Sequence, residues 1–200
     1  PLDQFARMMT ELKAPLGTHA ILGNHDWWDD HAVQRAGRGV PAVRRLLEAQ
    51  GIPVLENQAV RLVKDGRPFW LAGLGDQQPF LNAWSTFSLA DLPRTLQAVT
   101  DSAPVILMAH EPDIFVSVPD RVSLTLAGHT HGGQVRLFGH APAIRKVRGH
   151  DYSYGHVVQD GRHMIVSGGF GMSRIPVRMG VPPEIVLLEL GKADTSAAAS

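Results

Sequence analysis

Two apolar runs limit the fold more than any other feature of the chain. In "APVILMAH" and "VSLTLAGH" the residues over 103–109 and 122–127 are nearly all apolar or β-branched, and each run is bounded by Pro or Gly. A strand without polar alternation is covered on both faces, which is how strands of a parallel sheet with layers above and below it read. Two hairpin patterns accompany them, "QAVRLVKDGRPFWLAG" and "HVVQDGRHMIVSGG", each with apolar runs on either side of an Asp-Gly turn, Asp65-Gly66 and Asp160-Gly161. Helical spacing joins Leu2, Phe5, Met8 or Met9 and Leu12, and predicts further helices over 27–36, 41–50 and 89–99. Short strands are expected at 19–22, in "IPVLEN" and in "EIVLLEL", with a long loop over 76–88. The result is a layered α/β domain over residues 1–191, followed by a small, polar, disordered tail over 192–200.

Composition narrows the chemistry. Two hundred residues with 44% hydrophobic content support one globular core. Lys plus Arg and Asp plus Glu both total 19, so there is no strong field to gather nucleic acid, and none is expected as a partner. The absence of cysteine excludes disulfides and thiolate metal sites and leaves His, carboxylate and amide side chains as candidate ligands. No apolar stretch approaches the ~18 residues of a membrane span. The chain begins at Pro1 and runs almost at once into helical patterning, so it reads as the later part of a longer polypeptide.

Three predicted strands finish in polar, metal-binding side chains: Asn24-His25-Asp26, His110-Glu111 and His129-Thr130-His131. Ligands of α/β sheets bind beyond the carboxyl ends of strands, so three such ends build one site from remote segments. In "GHTHGG" an extended backbone would point both imidazoles to one face, and Gly128, Gly132 and Gly133 would let the chain turn close to a ligand. Each piece has a plainer reading: Gly-Asn as a turn, Asp26 as a helix cap, His110 as a hydrogen-bonded structural group.

The ordered set "GNHD", a lone His and "GHTH" resembles the calcineurin-like metallophosphoesterases. "GHTHGGQVRL" and the closing "GGFGMSRIPVRMGVPPEIVLLEL" resemble the bacterial branch with membrane-associated phosphodiesterases and lipid-precursor pyrophosphatases. The resemblance implies a layered α/β/β/α sandwich, N-terminally truncated here, that hydrolyses a phosphomonoester, phosphodiester or diphosphate. It implies two divalent ions (Mn first, or Fe, Zn or Mg) that activate water for in-line attack at phosphorus. Asn24, His110 and His129 would bind one metal and His131 the other, while His25 would act on the substrate.

Neither the family's Asp-x-His nor its Gly-Asp motif precedes "GNHD" in this sequence; Gly75-Asp76 falls after it, where the resemblance places Asp76 on a substrate-side loop. The four expected ligands are all neutral, so two dications about 4 Å apart would repel by several kcal/mol even at an effective dielectric near 20. These residues alone are therefore expected to bind at most one metal and to be essentially inactive. Trp27 or Trp28 would wall an apolar leaving group, one of them being core, and Arg174 and Arg178 would clamp a phosphate. His140, His150, His156 and His163 have no ligand spacing. The expected partner is a phosphoester or diphosphate small molecule, lipid-linked in one reading, with peripheral membrane contact and a bacterial cytoplasmic or membrane-peripheral location. Two competing readings are a catalytically dead phosphate-binding module on the same scaffold, and a metallo-β-lactamase-type zinc hydrolase, which His-x-His suggests but Gly132-Gly133 disfavours.

Overall fold

The computed structural model describes residues 2–81, 87–136, 138, 141, 149–173 and 176–191. Arg174, His140 and the tail over 192–200 lie outside them. Six strands form one mixed sheet in the order β1-β2-β3-β4-β6-β5. They are β1 (Gln58–Lys64), β2 (Arg67–Gly73), β3 (Val105–Met108), β4 (Leu124–Ala127), β5 (Gly155–Gln159) and β6 (Arg162–Val166). Strands β2, β3, β4 and β6 run parallel at its centre, and the antiparallel partners β1 and β5 close the two edges. Both edge hairpins turn as expected: Asp65, Gly66, Asp160 and Gly161 all have positive φ, the backbone of the turn that matches strand twist.

One face of the sheet, carrying Trp70, Ala72, Val105, Leu107, Met164 and Val166, is buried under Leu92 of helix α5 (Leu92–Gln97) and under Phe115 and Val118. Phe115 belongs to a 3-10 turn, Pro112–Ser117. The other face is thinly covered. A Cβ on Gly73 would lie 2.3 Å from that of Leu55 and 2.9 Å from Cγ2 of Ile21, so these two segments sit directly on β2. Beyond them Val33, Val43 and Leu47 of α3 (His31–Ala36) and α4 (Ala42–Ala49) pack with Leu22, Trp27, Ile52 and Val54 in a second core. The opening helix α1 (Leu2–Met9) lies on α4.

The structure is the expected layered α/β fold, with three departures from the sequence reading. Among the described residues the second β layer is a single parallel bridge, Ala20 to Val54, where the sequence predicts strands at 19–22 and in "IPVLEN". The predicted strand "EIVLLEL" forms no ladder, and its Ile185 and Leu187 are 87% and 88% exposed. Strand pairing requires a neighbour at about 4.8 Å, and apolar content alone does not supply one. The helix expected over 27–36 is also broken in two. Asp30 Oδ1 accepts from the backbone N–H of Ala32 and Val33 at 3.1 Å, which starts α3 afresh after α2 (Asn24–Trp28).

Candidate metal centre

Strands β3 and β4 are parallel neighbours, and two bonds carry their ladder past the last paired residues: Ala109 N–H to Leu126 O at 2.9 Å and Gly128 N–H to His110 O at 3.0 Å. His110 and His129 therefore leave the sheet side by side. The third group comes from the turn after Leu22, where α2 begins at Gly23 and the carboxylate of Asp26 accepts the Gly23 N–H at 2.8 Å. Asp26 is a helix cap, as its plainer reading had it. The turn delivers the Asn24 amide into the same space: Asn24 Oδ1 lies 2.9 Å from His110 Nε2 and 3.2 Å from His129 Nδ1, and the two ring nitrogens are 3.2 Å apart. Three atoms in a triangle of such edges match one face of an octahedron with bonds of about 2.1 Å, so the donor set fits a divalent ion.

The backbone is shaped to allow this. A Cβ on Gly23 would meet the His110 ring at 2.5 Å, so only glycine lets α2 start here. His129 and His131 both have left-handed backbone, φ 65° and 52°. Non-glycine residues held there store strain, and such strain gathers at functional sites. The same observation corrects the extended reading of "GHTHGG". Strand β4 ends at Ala127 and residues 131–133 form a 3-10 turn, so the two imidazoles reach one cleft through a turn and not through strand alternation. His129 meets Asn24 and His110, while Nδ1 of His131 donates to Gly171 O at 3.0 Å, leaving its Nε2 for a ligand.

Around these groups lies a cleft of about 400 Å³, lined by Asn24, His25, Trp28, His110, His129 and His131, with Met172 and Ser173 on its rim. His25 is half-exposed, its Nε2 3.4 Å from Ser173 Oγ and its Nδ1 3.7 Å from the Asp29 carboxylate. Trp27 is core and Trp28 stands in the cleft wall, its Nε1 donating to Gln78 O at 2.8 Å. Burial pushes the His110 imidazole down to about 4, against the opposing pull of the Glu111 carboxylate, so the ring is neutral and able to ligate at pH 7. Burial likewise lowers His131.

No family model matches the chain, and no solved structure matches it significantly. Curated relatives do. YkuE of Bacillus subtilis, an uncharacterized metallophosphoesterase, is 33% identical over 185 residues, 92% of this chain and 59% of the relative. An uncharacterized metallophosphoesterase of Aquifex aeolicus is 30% identical over 189 residues, 94% of this chain and 66% of its own. The phosphodiesterase YaeI of Escherichia coli is 30% identical over 187 residues, 93% and 63% respectively. The chain belongs to the calcineurin-like metallophosphoesterases. It spans about six tenths of the length of these three relatives.

Within this metallophosphoesterase chain the structure changes three sequence expectations. First, the expected ligands are not the only polar groups at the centre. One donor atom from each of His110, Glu111 and His129 lies within 4.8 Å of the others, so an acidic group joins a set expected to be neutral. Glu111 stands beside a named histidine in the sequence and was legible only as a strand-end carboxylate.

Second, Asp76 does not face the cleft. It is 1% exposed and lies against Glu111, itself 1% exposed; Gln77 N–H donates to Glu111 Oε2 at 3.1 Å and Gln78 N–H to Asp76 Oδ1 at 2.7 Å. Asp76 Oδ2 and Glu111 Oε1 have no donor, although the two carboxyl groups are within hydrogen-bonding reach. A proton on Asp76 satisfies both. Burial, then the Glu111 carboxylate, pushes the Asp76 carboxyl up to about 8 from the ordinary 3.8.

Third, the Arg178 guanidinium is turned from any phosphate toward the backbone. Its Nη2 donates to Gly168 O (2.8 Å) and His131 O (3.3 Å), Nη1 to Gly171 O (2.5 Å) and Nε to Val181 O (3.1 Å). Arg178 thereby ties the His131 turn to the carbonyl that fixes the His131 tautomer.

Two outcomes follow from this geometry. Gly23→Ala displaces the His110 ring and weakens Mn²⁺ binding by about 10–100-fold in calorimetry; unchanged affinity contradicts the close packing. The folded chain also keeps a proton on Asp76 that the unfolded chain releases. This contribution to stability is complete below the unfolded value of 3.8 and is lost as pH rises through about 8. In metal-free buffer the Tm of the parent chain therefore falls more steeply between these limits than that of Asp76→Asn, whose amide donates to Glu111 at every pH. Parallel Tm profiles contradict the shared proton.

Proposed function

We propose that this chain is the part of a metal-dependent phosphoesterase that carries three ligands of one divalent ion and the group acting on the substrate. The observation that carries this reading is the convergence of Asn24 Oδ1, His110 Nε2 and His129 Nδ1 within 3.2 Å of one another, from three segments up to 105 residues apart. When bound, such an ion supplies Lewis-acid charge at a phosphoryl oxygen. The chain's own residues do the rest. His25, half-exposed above the triangle, donates a proton to the leaving oxygen or stabilises the charge that develops there. Ser173 and Asp29 orient it through its two ring nitrogens. His131, held by Gly171 O and the Arg178 ties, presents its free nitrogen for a second ion.

The substrate is a small phosphoester or diphosphate, and the Trp28 and Met172 sides of the cleft suit an apolar, lipid-like leaving group. Relatives named metallophosphoesterase and phosphodiesterase support the reaction class. Among the described residues no helix is long and apolar enough to cross a membrane.

A second ion at about 4 Å needs anionic ligands, and the one acidic group within the donor set, Glu111, already serves Asp76. These 200 residues accordingly bind one Mn²⁺ in calorimetry, lose it in His110→Ala, and leave a chromogenic phosphodiester at the background rate. A longer polypeptide with Asp-x-His and Gly-Asp ahead of Pro1 hydrolyses it, and His25→Ala lowers its kcat by about 10²–10⁴-fold with metal retained. Turnover by the 200 residues that His110→Ala abolishes refutes the single-ion reading, and an inert longer polypeptide with both motifs intact refutes the phosphoesterase reading.

A further inference from the structure

The β5–β6 hairpin carries a second pair of imidazoles at the β5 edge of the sheet. His156 Nε2 lies 2.9 Å from His163 Nδ1, with the rings stacked at 18° and their centroids 5.2 Å apart. Both side chains are exposed. Their approach is set by register: Val157 pairs with Met164, so His156 and His163 are diagonal neighbours on the outer face of an antiparallel pair, within reach of each other. The Asp160-Gly161 turn fixes that register, and the main-chain ladder holds both Cα positions. His163 is the second residue of β6, one ahead of the Met164 that pairs with Thr125 near the start of β4. His156 sits opposite Ile165, nearer the carboxyl end of β6, so the pair is set apart from the candidate metal centre by its place on the hairpin at the sheet edge.

We propose that His156 and His163 form a surface chelate for a transition dication that accepts imidazoles at a right angle, Cu²⁺ or Ni²⁺. Two metal–nitrogen bonds of about 2.05 Å meeting at about 90° span about 2.9 Å, the separation of the two nitrogens, whereas the wider tetrahedral angle favoured by Zn²⁺ requires about 3.3 Å. Chelation needs no net loss of a proton, because the ring donating the shared hydrogen bond moves its proton to its outer nitrogen. The cation next to His163 in sequence does not oppose the ion. Arg162 lies on the opposite face, where it donates to Phe115 O and Val118 O at 3.0 and 2.5 Å. Among the described residues no third His, Asp or Glu completes the set, so water fills the other positions and the site exchanges readily.

Titration of the 200-residue chain with Ni²⁺, followed by histidine-ring NMR and by the number of ions retained at equilibrium dialysis, separates this site from the metal centre. The expected result is paramagnetic broadening of His156 and His163 together. His163→Gln and His156→Gln should each reduce the ion count by one, leave the broadening of His110 and His129 in place, and leave the far-ultraviolet circular dichroism unchanged. Sharp His156 and His163 signals when the centre is saturated, or an ion count unchanged in both variants, overturns the proposal.

Discussion

The structure depends on three lone-pair-bearing atoms being held about 3 Å apart at the carboxyl ends of two parallel strands. Such a triangle is unfavourable for a chain without a ligand. It gathers polar groups where burial keeps His110 neutral, and it places His129 in left-handed backbone. The β3–β4 pairing supplies two corners without further device, because parallel neighbours must release their chains at the same edge. The third corner needs Gly23, the only residue small enough to let the start of α2 pass against an imidazole.

Electrostatics beneath the triangle set how much negative charge a bound cation would meet. Burial, then the adjoining Glu111, pushes the Asp76 carboxyl up to about 8, and Gln77 donates both its backbone N–H and its side-chain amide to Glu111, at 3.1 and 2.9 Å. The pair places limited negative charge under the histidines and pins the loop after β2 to the segment after β3. On the other side Arg178 brackets the His131 turn through four carbonyls, a mechanical role for a cation whose side chain alone reads as an anion clamp.

Much of this was legible in the sequence because it is local. Hairpins follow from Asp-Gly flanked by apolar runs, buried strands from runs without alternation, and Asn24, His110 and His129 from polar residues stationed at strand ends. What the sequence withheld depends on partners. The segments around Ala20, Val54 and Ile185 have strand-like composition, but a strand exists only through its neighbours. The His129 and His131 backbone leaves the extended region, so the two rings reach one cleft by a turn that alternation does not describe. The Asp76–Glu111 contact joins residues far apart in the chain, and the His156–His163 pair follows from register, which residue spacing does not reveal.

The most direct test of the central geometry is an anomalous-scattering map of crystals of this chain soaked in Mn²⁺. A single strong peak within about 2.3 Å of Asn24 Oδ1, His110 Nε2 and His129 Nδ1 is predicted. A strong peak elsewhere, or these three atoms pointing into separate surroundings, contradicts it.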